Sequence, residues 1–194
     1  ARPGVDVRPG DRLVAVGGRP VGRDRSPAEL LVNQAGNEVL LTVVRDDAED
    51  EADRQPRTVT VKTLSSERPV RSRAWVEANR AAVERASDGA LGYIHVPDTH
   101  AFGASLFARQ FRSQFDKPGL IIDGRNNQGG FISQMMLARL ARTPLAFERS
   151  RHSVTRRHPA RAPWAHLAML IDEHAGSDGD VFPATFRQLG LGPL

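Results

Sequence analysis

The chain contains no cysteine, and two other common class signals are also missing. Without cysteine there are no disulfides and no thiolate metal sites, which suits a reducing cytoplasm. No apolar stretch approaches the roughly 20 residues that a transmembrane helix needs. No signal peptide is visible, although the first residue is Ala1 rather than methionine. We therefore expect a cytoplasmic protein that does not enter a membrane.

Lysine is almost absent, since Lys62 and Lys117 are the only two, and the net charge of +4 depends on arginine. The densest basic region, residues 149–161, contains Pro159 and has no helical periodicity. A nucleic-acid site would need a recognisable reading element with stacking aromatics. The region is typical of a solvated surface loop, and we expect no nucleic-acid partner.

With 194 residues, 40% of them hydrophobic, the chain can bury one large core or one core and a small second domain. Residues 1–63 predict a small β-rich domain, in which Ser26 and Pro27 open a helix by N-capping. Its predicted strands cover residues 12–18, 38–45 and 57–62. The polar residues 64–74 are expected to form a linker.

Residues 75–194 alternate helix and strand patterns, which predicts an α/β domain with a mostly parallel sheet covered by helices. The predicted strands are residues 91–96, 120–123 and 167–171, and the predicted helices include residues 75–86, 106–115, 131–140 and 181–189. In the third of these helices we expect Ile132, Met135, Met136 and Leu140 to face inward. A ligand would bind at the carboxyl ends of the strands.

Two glycine-rich turns follow strands at that end of the sheet. The sequence HAGSDGD at residues 174–180 predicts a strand delivering Ser177 onto the first turn of a helix, where a nucleophile would be accessible. The second turn, at Gly129 and Gly130, follows the strand at residues 120–123. Together the turns could place Ser177 between the N–H groups of Gly130 and Asp178, which would stabilise an oxyanion. This pattern indicates a serine peptidase, and helix N-capping by Ser177 is the alternative.

The second domain resembles the catalytic core of the tricorn protease family, which shares its crotonase/ClpP-like fold with the carboxyl-terminal processing proteases. Residues 1–63 resemble a PDZ domain of the bacterial protease type. The resemblance to the catalytic core depends on four stretches, residues 92–99, 120–126, 129–134 and 175–180. It implies that Ser177 is the nucleophile, with the N–H groups of Gly130 and Asp178 as the oxyanion hole.

The resemblance also implies a substrate class and an assembly. Glu148 stands where the family has an aspartate in the primary specificity pocket, so cleavage of oligopeptides after Lys or Arg is expected. The family acts without metal or organic cofactor and assembles as a homo-hexamer. We therefore expect peptide substrates, a homo-oligomer and no cofactor.

The general base and its supporting residue are not apparent in the sequence. In the family they are a histidine before the PDZ-like domain and a glutamate after the nucleophile, and both positions fall outside residues 1–194. Residues 1–194 alone should therefore be inactive, because a serine hydroxyl needs a neighbouring base. His174 is too close to Ser177 along the chain to act as its general base, and His95 is expected to be structural. Asp123 and Asp180 are expected to be turn and helix-start carboxylates rather than metal ligands.

Three alternatives stay open from the sequence. The chain could belong to an exported processing protease with a Ser-Lys dyad, whose lysine would follow the serine. It could be a peptide-binding PDZ-type module without catalysis. Glu148 could be a surface carboxylate paired with Arg149 or Arg151.

Overall fold

The computed structural model describes residues 5–194, which form two compact units. The first unit ends at Arg71 and the second begins at Ser72. This boundary falls within the segment that we expected to be a linker. Each unit has its own hydrophobic core.

The first unit is an antiparallel sheet of four strands in the order β2-β1-β3-β4. Its elements are β1 (Arg12–Val16), β2 (Arg19–Pro20), α1 (Pro27–Leu30), β3 (Glu38–Val44) and β4 (Arg57–Lys62). The β-branched residues of β3 and β4 favour this extended pairing. Ser26 caps α1 as predicted, because its Oγ accepts a hydrogen bond from the N–H of Glu29 at 3.2 Å.

A buried ion pair joins the start of β1 to the end of β3. The side chain of Asp11 is 1% exposed and accepts two hydrogen bonds from Arg45, at 2.8 and 3.0 Å. Arg57 donates a third at 2.7 Å. The hydrogen bonds from Arg45, and next that from the backbone N–H of Arg8, lower the pKa of Asp11 to about 2.

This pKa predicts how acid destabilises the first unit. The folded state binds a proton at Asp11 less readily than the unfolded chain, so the ion pair contributes fully above about pH 4. The contribution is lost as the pH falls towards 2. We expect Asp11→Asn to lower the melting temperature at neutral pH and to flatten its pH dependence, measured by calorimetry. Asp24→Asn, at an exposed position, should leave both unchanged, and an equal effect of the two variants would contradict this prediction.

The second unit has a parallel sheet of three strands in the order β5-β6-β9, with a separate antiparallel hairpin of β7 and β8. Its strands are β5 (Leu91–His95), β6 (Gly119–Asp123), β7 (Ala146–Glu148), β8 (Arg156–His158) and β9 (His166–Leu170). Its helices are α3 (Ala101–Arg112), α4 (Ser133–Leu140) and α5 (Asp178–Gln188). A further helix, α2 (Arg68–Ala86), crosses the boundary between the units.

The core of the second unit lies between the parallel sheet and helices α3, α4 and α5. Ile94 and Ile122 from the two neighbouring strands are fully buried. Phe111, Met136 and Phe186, one from each of the three helices, belong to the same cluster. The carboxyl ends of β6 and β9 lie side by side, because Asp123 pairs with Leu170 in the parallel register. The turns that follow these strands therefore emerge at one edge of the sheet.

Three local expectations were wrong. The helix that we expected to begin at residue 75 begins at Arg68. Its first turns are exposed and so need no apolar face, and the ion pair between Glu67 and Arg71 stabilises them. Residues 156–158, expected to be loop, form β8. Met135 is exposed and Leu137 is buried, because the buried face of α4 follows the helical spacing of Ser133, Met136, Leu137 and Leu140.

Candidate active site

Ser177 lies at the turn between β9 and α5 in an unusual backbone conformation. Its φ is 60° and its ψ is −128°, a combination that costs a non-glycine residue energy. The side chain is exposed and makes no capping hydrogen bond to the helix. The N-capping alternative therefore fails, and the hydroxyl is free to meet a ligand.

The glycine turn after β6 packs directly against Ser177. A Cβ atom placed on Gly129 would lie 2.8 Å from Cβ of Ser177 and 3.2 Å from N of Asp178. A Cβ atom on Gly130 would lie 2.4 Å from the carbonyl oxygen of Thr99. Both glycines have positive φ, of 75° and 150°. Side chains are thus excluded from both positions, and the backbone of this turn approaches the serine closely.

Two amides at this point have no acceptor among the residues that the structure describes. Within residues 5–194, neither the N–H of Gly130 nor the N–H of Asp178 donates a hydrogen bond, although the N–H groups of their neighbours Gly129 and Gly179 do. The N–H of Asp178 belongs to the first residue of α5, where the helix dipole adds partial positive charge. Free amides beside an exposed hydroxyl are the components of an oxyanion hole.

Asn127 connects the surrounding segments, a role that the sequence pattern does not predict. The side chain is 1% exposed. Its Nδ2 donates to the carbonyl of Val96 at 2.9 Å, and its Oδ1 accepts from the N–H of Gly129 at 2.8 Å. Its own carbonyl accepts from the N–H of Gly176 at 3.1 Å. One residue thereby ties the end of β5, the glycine turn and the serine turn together.

The carboxylate of Asp178 forms a second set of connections. It accepts a hydrogen bond of 2.6 Å from Oγ1 of Thr99 and one of 2.6 Å from Oγ of Ser133. The N–H of Ser133 also donates to it, at 3.2 Å. Burial favours a higher pKa for Asp178, but the hydrogen bonds from Ser133 and Thr99 outweigh it and keep the pKa below its usual range. The group is therefore ionised at neutral pH.

A buried polar cluster supports the end of β6. Asp123 is fully buried and accepts hydrogen bonds from Tyr93 at 2.5 Å and from Arg125 at 2.6 and 2.9 Å. The guanidinium of Arg125 lies 4.7 Å from the ring centre of Trp75, a cation–π contact. His95 packs against the same Trp75 ring and is 6% exposed, as a structural histidine would be.

None of these hydrogen bonds involves Glu148, His174 or His100, although His100 follows Thr99 and lies beside the glycine turn. Glu148 is an exposed residue at the end of β7, opposite Arg156 in the register, and within residues 5–194 it forms no ion pair. His174 is exposed and lies near Glu173, while the ring of His100 contacts Phe131. No group of three potential metal ligands occurs among the described residues. In the same part of the chain, no helix has both the length and the apolar character needed to cross a bilayer.

Comparison with known families assigns the chain to a class. The profile of Peptidase family S41 matches residues 90–194, and that of the Tricorn protease PDZ domain matches residues 1–66. The chain belongs to peptidase family S41, and within it to the tricorn proteases.

Individual relatives agree with this assignment. The chain is 39% identical over all of its 194 residues to Tricorn protease homolog 1 of Streptomyces coelicolor. It is 35% identical to the Tricorn protease of Thermoplasma volcanium over 98% of its length. The crystal structure of the tricorn protease superimposes on 94% of this chain, with a TM-score of 0.85 and 32% identity.

These comparisons confirm the resemblance and the fold class predicted from the sequence. The chain spans 18% of the length of the two curated relatives and 17% of the crystallised chain. The similarity therefore covers the PDZ domain and the part of the catalytic core that carries the serine turn.

Proposed function

We propose that the protein containing this chain is a tricorn-type serine peptidase that hydrolyses oligopeptides through acylation of Ser177. The observation that carries this proposal is the exposed, strained Ser177 next to the unpaired N–H groups of Gly130 and Asp178. Membership of peptidase family S41 supports the same reaction class. A peptide-binding module would have no use for backbone strain at an exposed serine.

The residues suggest a two-step reaction. Oγ of Ser177 attacks the peptide carbonyl carbon, while its proton passes to a general base that the family resemblance assigns outside residues 1–194. The carbonyl oxygen becomes an oxyanion and accepts hydrogen bonds from the N–H groups of Gly130 and Asp178. The C–N bond then breaks, the amine leaves with the proton, and water hydrolyses the acyl-serine to release the second product.

We further propose that Glu148 selects basic residues before the cleaved bond. Its carboxylate is exposed and has no ion-pair partner within residues 5–194, so it is available to a cationic ligand. The alternative of a surface pair with Arg149 or Arg151 has no support from the ion pairs of the described residues.

The test uses the full-length gene product and short fluorogenic peptides that end in Arg, Lys, Phe or Glu. We expect the Arg and Lys peptides to be cleaved fastest. Glu148→Gln should lower kcat/KM for both by about 10- to 100-fold, the value of a hydrogen bond to a charged group, and leave the Phe peptide unchanged. Glu84→Gln, an exposed glutamate on α2, is the control. Preferred cleavage of the Glu peptide would remove the role of Glu148.

By resemblance to the tricorn proteases, we also propose that the protein works in the cytoplasm as a homo-oligomer, a hexamer in the family. Analytical ultracentrifugation of the full-length protein tests the assembly. A monomer with full activity would contradict it.

The processing protease with a Ser-Lys dyad is the less favoured alternative. The relatives named above are tricorn proteases, and the profile that matches residues 1–66 is that of the Tricorn protease PDZ domain. Replacing each lysine that follows Leu194 in the full-length sequence would distinguish the two, because only a dyad enzyme would lose activity.

A further inference from the structure

The carboxylate of Asp178 is not needed for the oxyanion hole that the proposed function describes, since only the backbone N–H of this residue would contact the substrate. Yet three donors from two other segments converge on that carboxylate. Thr99 is fully buried and Ser133 is 5% exposed, so the donors are held in place. A cluster of this kind on a residue next to the nucleophile calls for an explanation.

Thr99 connects the Asp178 carboxylate to the segment that carries the N–H of Gly130, the second amide of the proposed oxyanion hole. The backbone of Thr99 encloses Gly130, because its N–H donates to the carbonyl of Gly129 at 2.8 Å and its carbonyl accepts from the N–H of Phe131 at 3.1 Å. Both bonds belong to an isolated parallel bridge between Thr99 and Gly130. The position of Thr99 therefore sets the position of the Gly130 amide, and Oγ1 of Thr99 is bonded to Asp178.

Ser133 connects the Asp178 carboxylate to the other end of the glycine turn. Its N–H and its hydroxyl both donate to Asp178, and it is the first residue of α4. The turn that carries Gly130 is thus fixed at both ends to a single side chain. That side chain belongs to the residue whose own N–H is the other free amide.

We propose that the Asp178 carboxylate, with Thr99 and Ser133, is a positioning group that sets the spacing of the two oxyanion donors. This inference rests on the proposed function, and it assigns the residues that hold the N–H groups of Gly130 and Asp178 at a fixed distance from each other. Other hydrogen bonds also join the two turns, from Asn126 to Asp172 and from Gly176 to Asn127. Within the described residues, however, only Asp178 bonds the serine turn to Thr99 and Ser133. The backbone carbonyl of Asn127 accepts from Gly176 and its side chain bonds to Val96 and Gly129, but within the described residues it forms no hydrogen bond with Thr99 or Ser133.

The test measures kcat and KM of the full-length protein on its best fluorogenic peptide. We expect Asp178→Asn and Thr99→Val each to lower kcat by about 10- to 100-fold, because a displacement of about 1 Å at a reacting group costs up to about 100-fold. KM should change by less than about threefold, since the amides act on the oxyanion of the transition state and not on the bound peptide. The double variant should lose little more than either single variant, because both break the same connection.

Two control variants separate positioning from general damage. Thr99→Ser keeps the hydroxyl and should retain most of the activity. Asp180→Asn removes an equal charge from the same first turn of α5, at an exposed side chain without hydrogen bonds in the described residues, and should retain full activity. Melting temperatures within a few degrees of the wild type will show that the variants are folded, and for any variant that melts lower the kcat and KM are measured well below its transition.

The outcomes are distinguishable from failure of the proposed function. If the wild-type protein hydrolyses no peptide and takes up no fluorophosphonate at Ser177, the proposed function itself is wrong. If the wild type is active and Asp178→Asn or Thr99→Val keeps its kcat, the positioning role is overturned. An equal loss in Asp180→Asn would also overturn it, because the effect would then come from charge at the helix start.

Discussion

Replacing Ser177 by alanine should reduce kcat of the full-length protein on the order of a million-fold, the cost of removing the nucleophile from a serine protease. The reason is that Ser177 carries the exposed hydroxyl beside the turn of Gly129 and Gly130, and its loss leaves the proposed reaction without a nucleophile. KM should stay similar, because the peptide would still bind the unchanged surface. The measurement is steady-state hydrolysis, together with mass spectrometry after fluorophosphonate labelling.

The matched control is Ser105→Ala, which removes an exposed serine hydroxyl from α3. It should keep both turnover and labelling. Labelling of a residue other than Ser177, or turnover by the Ser177→Ala variant near that of the wild type, would show that another group is the nucleophile. The melting temperature of Ser177→Ala should match that of the wild type, because the hydroxyl makes no hydrogen bond that stabilises the helix.

Replacing Asp123 by alanine should destabilise the parallel sheet by about 1–3 kcal/mol, the cost of leaving a buried donor, here the hydroxyl of Tyr93, without its acceptor. The change would leave Arg125 and the hydroxyl of Tyr93 without their acceptor. We expect faster amide hydrogen exchange across β5 and β6 in the full-length protein, measured by mass spectrometry. Activity should fall in parallel, because the Gly129 turn follows β6.

A surface ion pair provides the comparison. Asp116 pairs with Arg157 at 3.1 Å, but its side chain is 69% exposed. Asp116→Ala should therefore cost at most about 1 kcal/mol. Similar exchange rates for the two variants would mean that the Asp123 cluster contributes no more than an exposed pair.

The positions of the two turns could be predicted from the sequence because their signals are local. The apolar run at residues 120–122 is followed by the glycine turn, and the apolar run at residues 167–171 is followed by Ser177. The sequence therefore marks where each of the two strands ends. Parallel pairing then brings such ends together. The two turns follow β6 and β9 as this pattern predicts, and Ser177 is exposed. The roles of Ser177, Gly130 and Asp178 stay predictions.

The residues that hold the turns together could not be predicted in this way. Thr99 bonds to Asp178 across a separation of 79 residues, and no periodicity marks either side chain for the other. Asn127 lies between two of the stretches that carry the family resemblance, but its buried contacts depend on Val96, which follows β5 and is distant in the sequence. The hairpin of β7 and β8 was missed because each strand has only three residues and β8 has no apolar residue, so neither shows the alternation of a half-buried strand.

The backbone angles of Ser177 have an evolutionary consequence. A residue with φ of 60° and ψ of −128° costs about 1–3 kcal/mol, which glycine would not. Selection for stability alone would thus favour glycine at this position, and only selection for a hydroxyl opposes it. Among descendants of this sequence, those that keep serine at 177 should be the ones that still cut peptides, and drift to glycine should mark lineages that have given up catalysis.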